Sequence, residues 1–340
     1  MLTAIGLFVL GLVLLMLGGD SIVKGAAGLA QRLGLTAFTT GLVLVAFATS
    51  LPELAVNLVA ILHGQDELAL GNAVGSNVAN IGLTLGAAAI AAPIIVRWRA
   101  LSPLLLVLVL GTIAVLALGA DGTLSRIEGL VLLVAFVAAL AFAIVRSRRE
   151  VPEVRSEIEQ FAQTSTVLGL NLVRFAIGIV LVSIGSLLVV GGPGVHLFGM
   201  DLSGSGAGVI GEAIGLSPVL TGLLPVAIGT ALPEVAAAIA AARRGQGDMV
   251  MGHVIGASVF NILVIVGGMA ACCDLALPMT LMGPSQFALP LGYELLAALA
   301  FALMLYPLLR GDTRVSKGEG VLLLVAYAAW VVFELMLAGK

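Results

Sequence analysis

Residues 41–86, GLVLVAFATSLPELAVNLVAILHGQDELALGNAVGSNVANIGLTLG, return without a gap 181 positions later as GLLPVAIGTALPEVAAAIAAARRGQGDMVMGHVIGASVFNILVIVG, residues 222–267. Identical positions include Thr49/Thr230, Pro52/Pro233, Glu53/Glu234, Gly75/Gly256 and Asn80/Asn261. Each copy sets a proline and a glutamate inside a run that otherwise reads as a bilayer span, where an ionisable residue is costly unless it is used. Duplicated segments broken at corresponding places in two halves point to a transporter built from internal repeats.

The rest of the chain supplies the membrane context. Hydrophobic residues make up 60% of the 340 and charged residues only 10%, far from the make-up of a soluble domain. Crossing a hydrocarbon core takes about 20 apolar residues. Ten runs qualify: 2–19, 35–62, 68–96, 101–120 and 127–146, then 168–192, 216–242, 249–273, 286–309 and 318–337. The expected fold is an all-α integral membrane protein of ten transmembrane helices. Nothing basic precedes the first run and no cleavage-like segment follows it, so it reads as a retained helix rather than a signal peptide.

Basic residues give the direction, because cytoplasmic loops keep Lys and Arg. With the N-terminus outside, Lys24, Arg32, Arg97, Arg99, Arg146, Arg148, Arg149, Arg155, Arg174, Arg243, Arg244, Arg310, Arg314 and Lys317 fall inside. Arg126 and Lys340 remain outside, as do both termini. The expected location is the cytoplasmic (inner) membrane. A net charge of −3 implies no nucleic-acid partner. Cys272 and Cys273, adjacent near the outer end of the eighth span, read as packing residues rather than a staple or a metal site.

The polar stretch RSRREVPEVRSEIEQ, Arg146 to Gln160, separates two sets of five spans. The expected units are 1–146, a cytoplasmic linker 147–166, and 167–340. An odd number of spans per unit inserts the second copy upside down, so the two signatures approach the midplane from opposite sides as inverted-topology repeats with broken helices. The glycine-rich segment 193–213, including Asp201 and Glu212, reads as a mobile external loop with solvated acids. Glu294 and Glu334 have no counterpart in the first half and read as local pairs or outer-end residues.

Proline has no N–H and its ring clashes with the carbonyl four residues back, so Pro52 frees the carbonyl of Ala48 and Pro233 that of Gly229. Open backbone at membrane depth survives only where it is buried in protein or lines a cavity. Glu53 and Glu234 then fall in the first turn of restarted half-helices, where the helix N-terminus favours an anion. In both halves an asparagine follows 27 residues after the glutamate, Asn80 in GSNVAN and Asn261 in GASVFN. Two carboxylates, two amides and the carbonyls near Thr49 and Thr230 make an all-oxygen cage suited to Ca²⁺; softer metals would want His or Cys.

At these residues the chain resembles the calcium/cation antiporter superfamily, and within it the prokaryotic sodium/calcium exchangers. ATSLPE (48–53) and GTALPE (229–234) are similar to that family's G-T-S-x-P-E motif, and GSNVAN (75–80) to its G-S-N-x-x-N motif. The resemblance implies a central Ca²⁺ site of Glu53, Glu234 and the Thr49 and Thr230 carbonyls. It implies flanking Na⁺ sites that use Ser76 and the Ala46 and Ala227 carbonyls, with Ser50 the other motif serine. The second half departs from the pattern, with Ala231 and Ala257 where the family has serine, Ser258 where it has asparagine, and Asn261 where many prokaryotic members have aspartate. The expected activity is secondary active Ca²⁺/Na⁺ antiport, with H⁺/Ca²⁺ exchange through the same paired glutamates as the alternative and a passive cation channel as the less favoured reading. Neither an enzymatic reaction nor a resident cofactor is expected. One copy suffices for the cage, with inorganic cations and the lipid bilayer as its partners.

Overall fold

The structure is a computed structural model; it describes residues 1–35, 40, 44, 50–97, 99, 101–147, 151–282, 287–307 and 313–338. Among the described residues its long elements are helices, in chain order α1 (Leu2–Arg32), α2 (Leu51–Leu62), α3 (Asp66–Ala91), α4 (Leu101–Leu118), α5 (Arg126–Ser147), α6 (Pro152–Ala162) and α7 (Leu168–Val190). There follow α8 (Ala207–Ala213), α9 (Pro218–Arg243), α10 (Gly247–Cys272), α11 (Gly292–Met304) and α12 (Lys317–Ala338). Among the described residues eight helices are long and apolar enough to cross a membrane: α1, α3, α4, α5, α7, α9, α10 and α12. Two shorter apolar helices, α2 and α11, stand within the expected second and ninth spans.

Burial sorts these helices into layers. In α3 every side chain from Leu68 to Ala79 is buried, and α10 is nearly as enclosed. Helices apolar all round belong inside a bundle. By contrast α5, α7 and α12 leave most of their apolar surface uncovered by protein, as lipid-facing helices do. α3 and α9 approach backbone to backbone: a Cβ placed on Gly75 would come within 2.5 Å of the Leu223 carbonyl oxygen. Only glycine permits that contact. α1 and α7 form a second closely packed pair, with Gly11, Gly18 and Gly25 of one facing Gly185, Gly178 and Asn171 of the other. This pair touches the α3/α10 centre far less than its members touch each other.

Local signals in the sequence explain several boundaries. Ser125 and Glu128 form a reciprocal capping box at the start of α5, the Ser125 N–H donating to the Glu128 carboxylate at 2.8 Å and the Glu128 N–H to the Ser125 hydroxyl at 3.4 Å. Ser316 and Glu319 repeat it before α12, at 2.6 and 3.3 Å. Such boxes satisfy N–H groups that a helix start leaves open. The ninth run begins later than hydropathy suggests, because Met279–Met282 and Phe287–Pro290 pair as a hairpin and Leu291 (φ 47°) turns the chain before α11.

Segment 193–213 is not an open loop. His196–Leu197 pairs with Met200–Asp201, α8 follows, and Val195, Leu197 and Leu202 are buried against Leu188 and α1. The apolar residues among its glycines carry that packing; composition alone hid them. Asp201 is exposed, and its carboxyl is held below the ordinary range by the Ser203 N–H and hydroxyl. Across the molecule, Thr123–Leu124 pairs with Leu275–Ala276 and Ile94–Ile95 with Arg314–Val315, so the loop after the third span of each half is tied to the loop after the fourth span of the other.

The linker is a short amphipathic helix, α6, opened by Pro152 at its first position and docked through fully buried Val154 and Ile158. Gln31 donates to the Ala162 carbonyl at 2.6 Å, fastening its end to α1. Arg97 bridges Glu157 of α6 and Asp248 at the start of α10, its Nε lying 3.1 Å from Asp248 and its backbone N–H 2.5 Å from the same carboxylate. Burial and the nearby Asp248 push the Glu157 carboxyl above its ordinary value, against the pull of Arg97. A carboxyl raised in the folded state stabilises the fold at low pH and loses that contribution as pH climbs through the raised value. Melting of the detergent-solubilised protein should therefore fall as pH rises from about 4.3, the ordinary Glu value. The slope should flatten in Glu157→Gln; an unchanged slope would place the titration elsewhere.

Candidate functional site

The site is assembled where the two signatures meet. Ser50 is the N-cap residue of α2, Pro52 sits in its first turn, and Glu53 follows with 4% exposure. The Leu54 N–H already bonds the Ser50 carbonyl at 2.9 Å, so the helix starts where the first proline dictates. Glu53 thus stands at a helix N-terminus, whose partial positive charge favours an anion. Ala46 and Thr49 lie outside the described residues.

The second half solves the same problem differently. Pro233 does not restart a helix: Ala227–Arg243 is continuous α-helix through it, and Glu234, 5% exposed, lies in its interior. The expected break is displaced to a π-helical turn, Gly222–Val226, with Pro225 inside it. A wide turn of this kind accommodates a proline and leaves the flanking helix regular, and such turns gather at functional sites. The Gly229 carbonyl still lacks its usual donor, because residue 233 is proline.

Two further π turns leave no signal in the sequence. Asn80–Leu85 in α3 and Asn261–Val266 in α10 are both π-helical, and each begins at the repeated asparagine. Ser76 and Asn80 lie on α3, one turn apart and buried, with the Ser76 Oγ unpartnered. Asn261 is fully buried, with both amide atoms unpartnered. Thr230 donates to the Ala227 carbonyl at 3.3 Å, and its side chain also interacts with the Glu53 carboxylate.

Glu53 and Glu234 lie within electrostatic reach of each other, and each keeps one buried carboxylate oxygen, Oε2, without a partner. Buried polar groups are ordinarily hydrogen-bonded, and an ionised side chain at membrane depth costs about 2.5 to 3.5 kcal/mol or more. Two such oxygens on neighbouring carboxylates, with no ion pair to either among the described residues, form a pair of acceptors in need of a cation. What fits is a desolvated cation held by hard oxygen. Among the described residues no three His, Cys, Asp or Glu side chains cluster, so any further donors are amides, hydroxyls or backbone carbonyls.

Other buried polar residues of the two signatures were not read from the sequence as site residues. Asn77 and Ser258, at equivalent positions, are buried with orphaned atoms, and so is Thr84. Asn57 accepts from Asn72 at 3.0 Å, both essentially inaccessible. Helical spacing could have found the last two: Asn57 follows Glu53 by four residues and Asn72 precedes Ser76 by four. Glu334 is buried too, Glu294 stands in the first turn of α11, and the two acids lie within electrostatic reach of each other.

One approach lies on the side of the linker. A cavity of 480 Å³ runs from Asp20 and Lys24 of α1, past Pro52 and Pro233, to Glu234, with linker residues Ala162, Gln163 and Thr164 on its wall. On the opposite side, α3 and α9 are closed against each other at their glycines.

A multi-pass membrane protein with paired buried acids inside a duplicated helical core is the architecture of an ion carrier. Residues 3–145 and 170–336 match the sequence profile of the sodium/calcium exchanger protein family, and the chain belongs to that family. Inner membrane protein YrbG of Escherichia coli is 33% identical over 97% of this chain and 96% of its own. Putative antiporter CaxA of Alkalimonas amylolytica is 31% identical over 97% and 98%. The sodium-calcium exchanger NCX_Mj, soaked with Na⁺ and Sr²⁺, superposes with a TM-score of 0.64 at 29% identity, covering 97% of this chain and 98% of that one.

Proposed function

We propose that the chain is a secondary active antiporter that carries Ca²⁺ against Na⁺ through one central site. The observation that carries this reading is the pair of buried glutamates, one from each signature, both with an unpartnered oxygen and one of them reached by the Thr230 side chain. Two negative charges are balanced by one Ca²⁺ or by monovalent cations, and both sets together would leave excess positive charge in a low-dielectric site. Competition for the same charges is what couples the fluxes. No chemical step is involved, and we read the protein as a carrier rather than an enzyme.

Ten spans in two inverted sets of five, with both termini outside and the linker in the cytoplasm, supply the frame for alternating access. The glycine-packed α1/α7 pair is suited to rock as one body across the α3/α9/α10 core, because its internal contacts are close and its contacts to that core sparse. The linker-side vestibule corresponds in this frame to an inward-open state.

Proteoliposomes loaded with Na⁺ and diluted into ⁴⁵Ca²⁺ at clamped pH should take up Ca²⁺ at least tenfold faster than Na⁺-free controls. Absence of Na⁺ stimulation would sink the Na⁺-coupled reading. The second half favours one alternative: Ala231 and Ala257 replace the hydroxyls that Ser50 and Ser76 provide in the first, which removes Na⁺ donors. Protons would then balance Glu53 and Glu234 while Ca²⁺ leaves, and uptake would follow a pH gradient instead.

A further inference from the structure

The two capping boxes, Ser125/Glu128 before α5 and Ser316/Glu319 before α12, align the last helix of each half at an offset of 191. In that register Phe136, Ala139 and Ala143 of α5 stand where α12 has Tyr327, Trp330 and Glu334, and all of them are buried. One half packs this face with apolar side chains alone, so the fold does not require a carboxyl there, and at membrane depth a carboxyl is costly unless it is used. Tyr327 and Phe301 of α11 press together on Gly82, in the π turn that opens at Asn80: a Cβ there would lie 2.7 Å from the Phe301 ring and 2.8 Å from the Tyr327 Cβ. Glu334 follows Tyr327 by seven residues and Glu294 precedes Phe301 by seven, two turns along one face of each helix. The Tyr293 and Phe333 rings, 5.4 Å apart edge to face, show that α11 and α12 run antiparallel here, so both acids lie on one seam to the same side of Gly82.

Glu334 is 1% exposed with its Oε1 unpartnered, and half-buried Glu294 keeps an enclosed, unpartnered Oε2. Trp330, one turn before Glu334 and itself buried, turns its indole toward that carboxyl. Nothing basic answers the pair. α3, α4, α11 and the described strands of the Met279–Pro290 hairpin contain no Lys, Arg or His, and Lys317 stands at the other end of α12 beside Glu319, which Ser316 holds. The other acids on these elements are Asp66 and Glu67 in the first turn of α3 and Asp121 beyond the end of α4, bonded to Thr123. Among the described residues no third acid, His or Cys joins the pair, and its neighbours are the rings of Tyr293, Phe333 and Trp330 rather than the oxygen shell a divalent cation takes. We propose that Glu294 and Glu334 form a second acid site in the membrane, separate from the central pair, whose ligand is a single shared proton. One carboxyl donates to the other, which gives each orphaned oxygen a partner and leaves one negative charge instead of two in a medium of low dielectric. The shared proton keeps α11 and α12 closed on the π turn that begins at Asn80. Its loss sets like charges against each other on the seam and admits water beside Trp330. The site is independent of which ion is carried at the centre.

The test is infrared difference spectroscopy of the detergent-solubilised protein between pH 6 and pH 10, with Trp330 emission read in Trp98→Phe, where it is the sole tryptophan. The native spectrum should lose a protonated-carboxyl C=O band as pH rises, and Trp330 emission should shift to the red over the same interval. Glu334→Gln, whose neutral amide keeps the shape of the acid, should remove that component of the band and the emission shift with it. Glu294→Gln takes away the like charge and should move the midpoint of the same component down by about one pH unit or more. In the native protein that midpoint should not depend on Na⁺ or Ca²⁺ concentration. A band unchanged in both variants, or no such band in the native protein, would overturn the shared proton. A midpoint that follows Na⁺ or Ca²⁺ would overturn it too, by showing a metal ion held there instead.

Discussion

Replacing either central carboxylate, by Glu53→Gln or Glu234→Gln, is expected to lower ⁴⁵Ca²⁺ exchange on the order of 10³-fold while leaving the protein folded. A unit charge about 4 Å from another, at an effective dielectric near 20, is worth about 4 kcal/mol, and each variant removes one such interaction with the cation. The amide keeps the shape and one acceptor oxygen, so packing around residues that are 4% and 5% exposed is preserved. Without cation the variants should melt no lower than the native protein, because each relieves one partner of two neighbouring carboxylates. Added Ca²⁺ should raise the native melting temperature and leave that of the variants nearly unchanged. Asp66→Asn, in the first turn of α3 away from the cage, serves as the control and should exchange at the native rate. Native transport by either Gln variant would show that the two acids do not share one site.

How far the sequence revealed this site depends on what each feature requires. The glutamates, asparagines and prolines were legible because each is costly in a span and each recurs at the same spacing; coincidence does not reproduce cost twice. The displaced break in the second half was not legible. Pro225 and Pro233 both stand in that run, and which of them the backbone accommodates by a π turn depends on tertiary packing, with Gly222 and Leu223 pressed onto α3. The π turns at Asn80 and Asn261 leave no mark in composition at all. The Asn57–Asn72 pair was legible in principle from the four-residue spacing.

Outside the membrane core the largest effect on stability belongs to Arg97. The Asp248 side chain it faces is wholly inaccessible, whereas Arg97 itself is 40% exposed, so solvent compensates the cation far better than the anion. Removing one partner of such a pair costs about 3 to 5 kcal/mol when the other stays buried and charged. In Arg97→Ala the residue's own N–H still reaches Asp248 at 2.5 Å, which moves the expectation to the lower end, about 3 kcal/mol. Adding Asp248→Asn to Arg97→Ala should recover more than half of that loss, since the orphaned charge disappears, whereas Asp248→Asn alone should cost less than Arg97→Ala. A double-mutant cycle on denaturant melts of the detergent-solubilised protein measures the coupling. Additive losses would show that Arg97 acts through Glu157 and the docking of α6 alone. A coupling of 1 to 2 kcal/mol, roughly the scale for residues in one network, would instead fix the Arg97–Asp248 contact as what joins the linker, the end of the first half's third span and the start of α10.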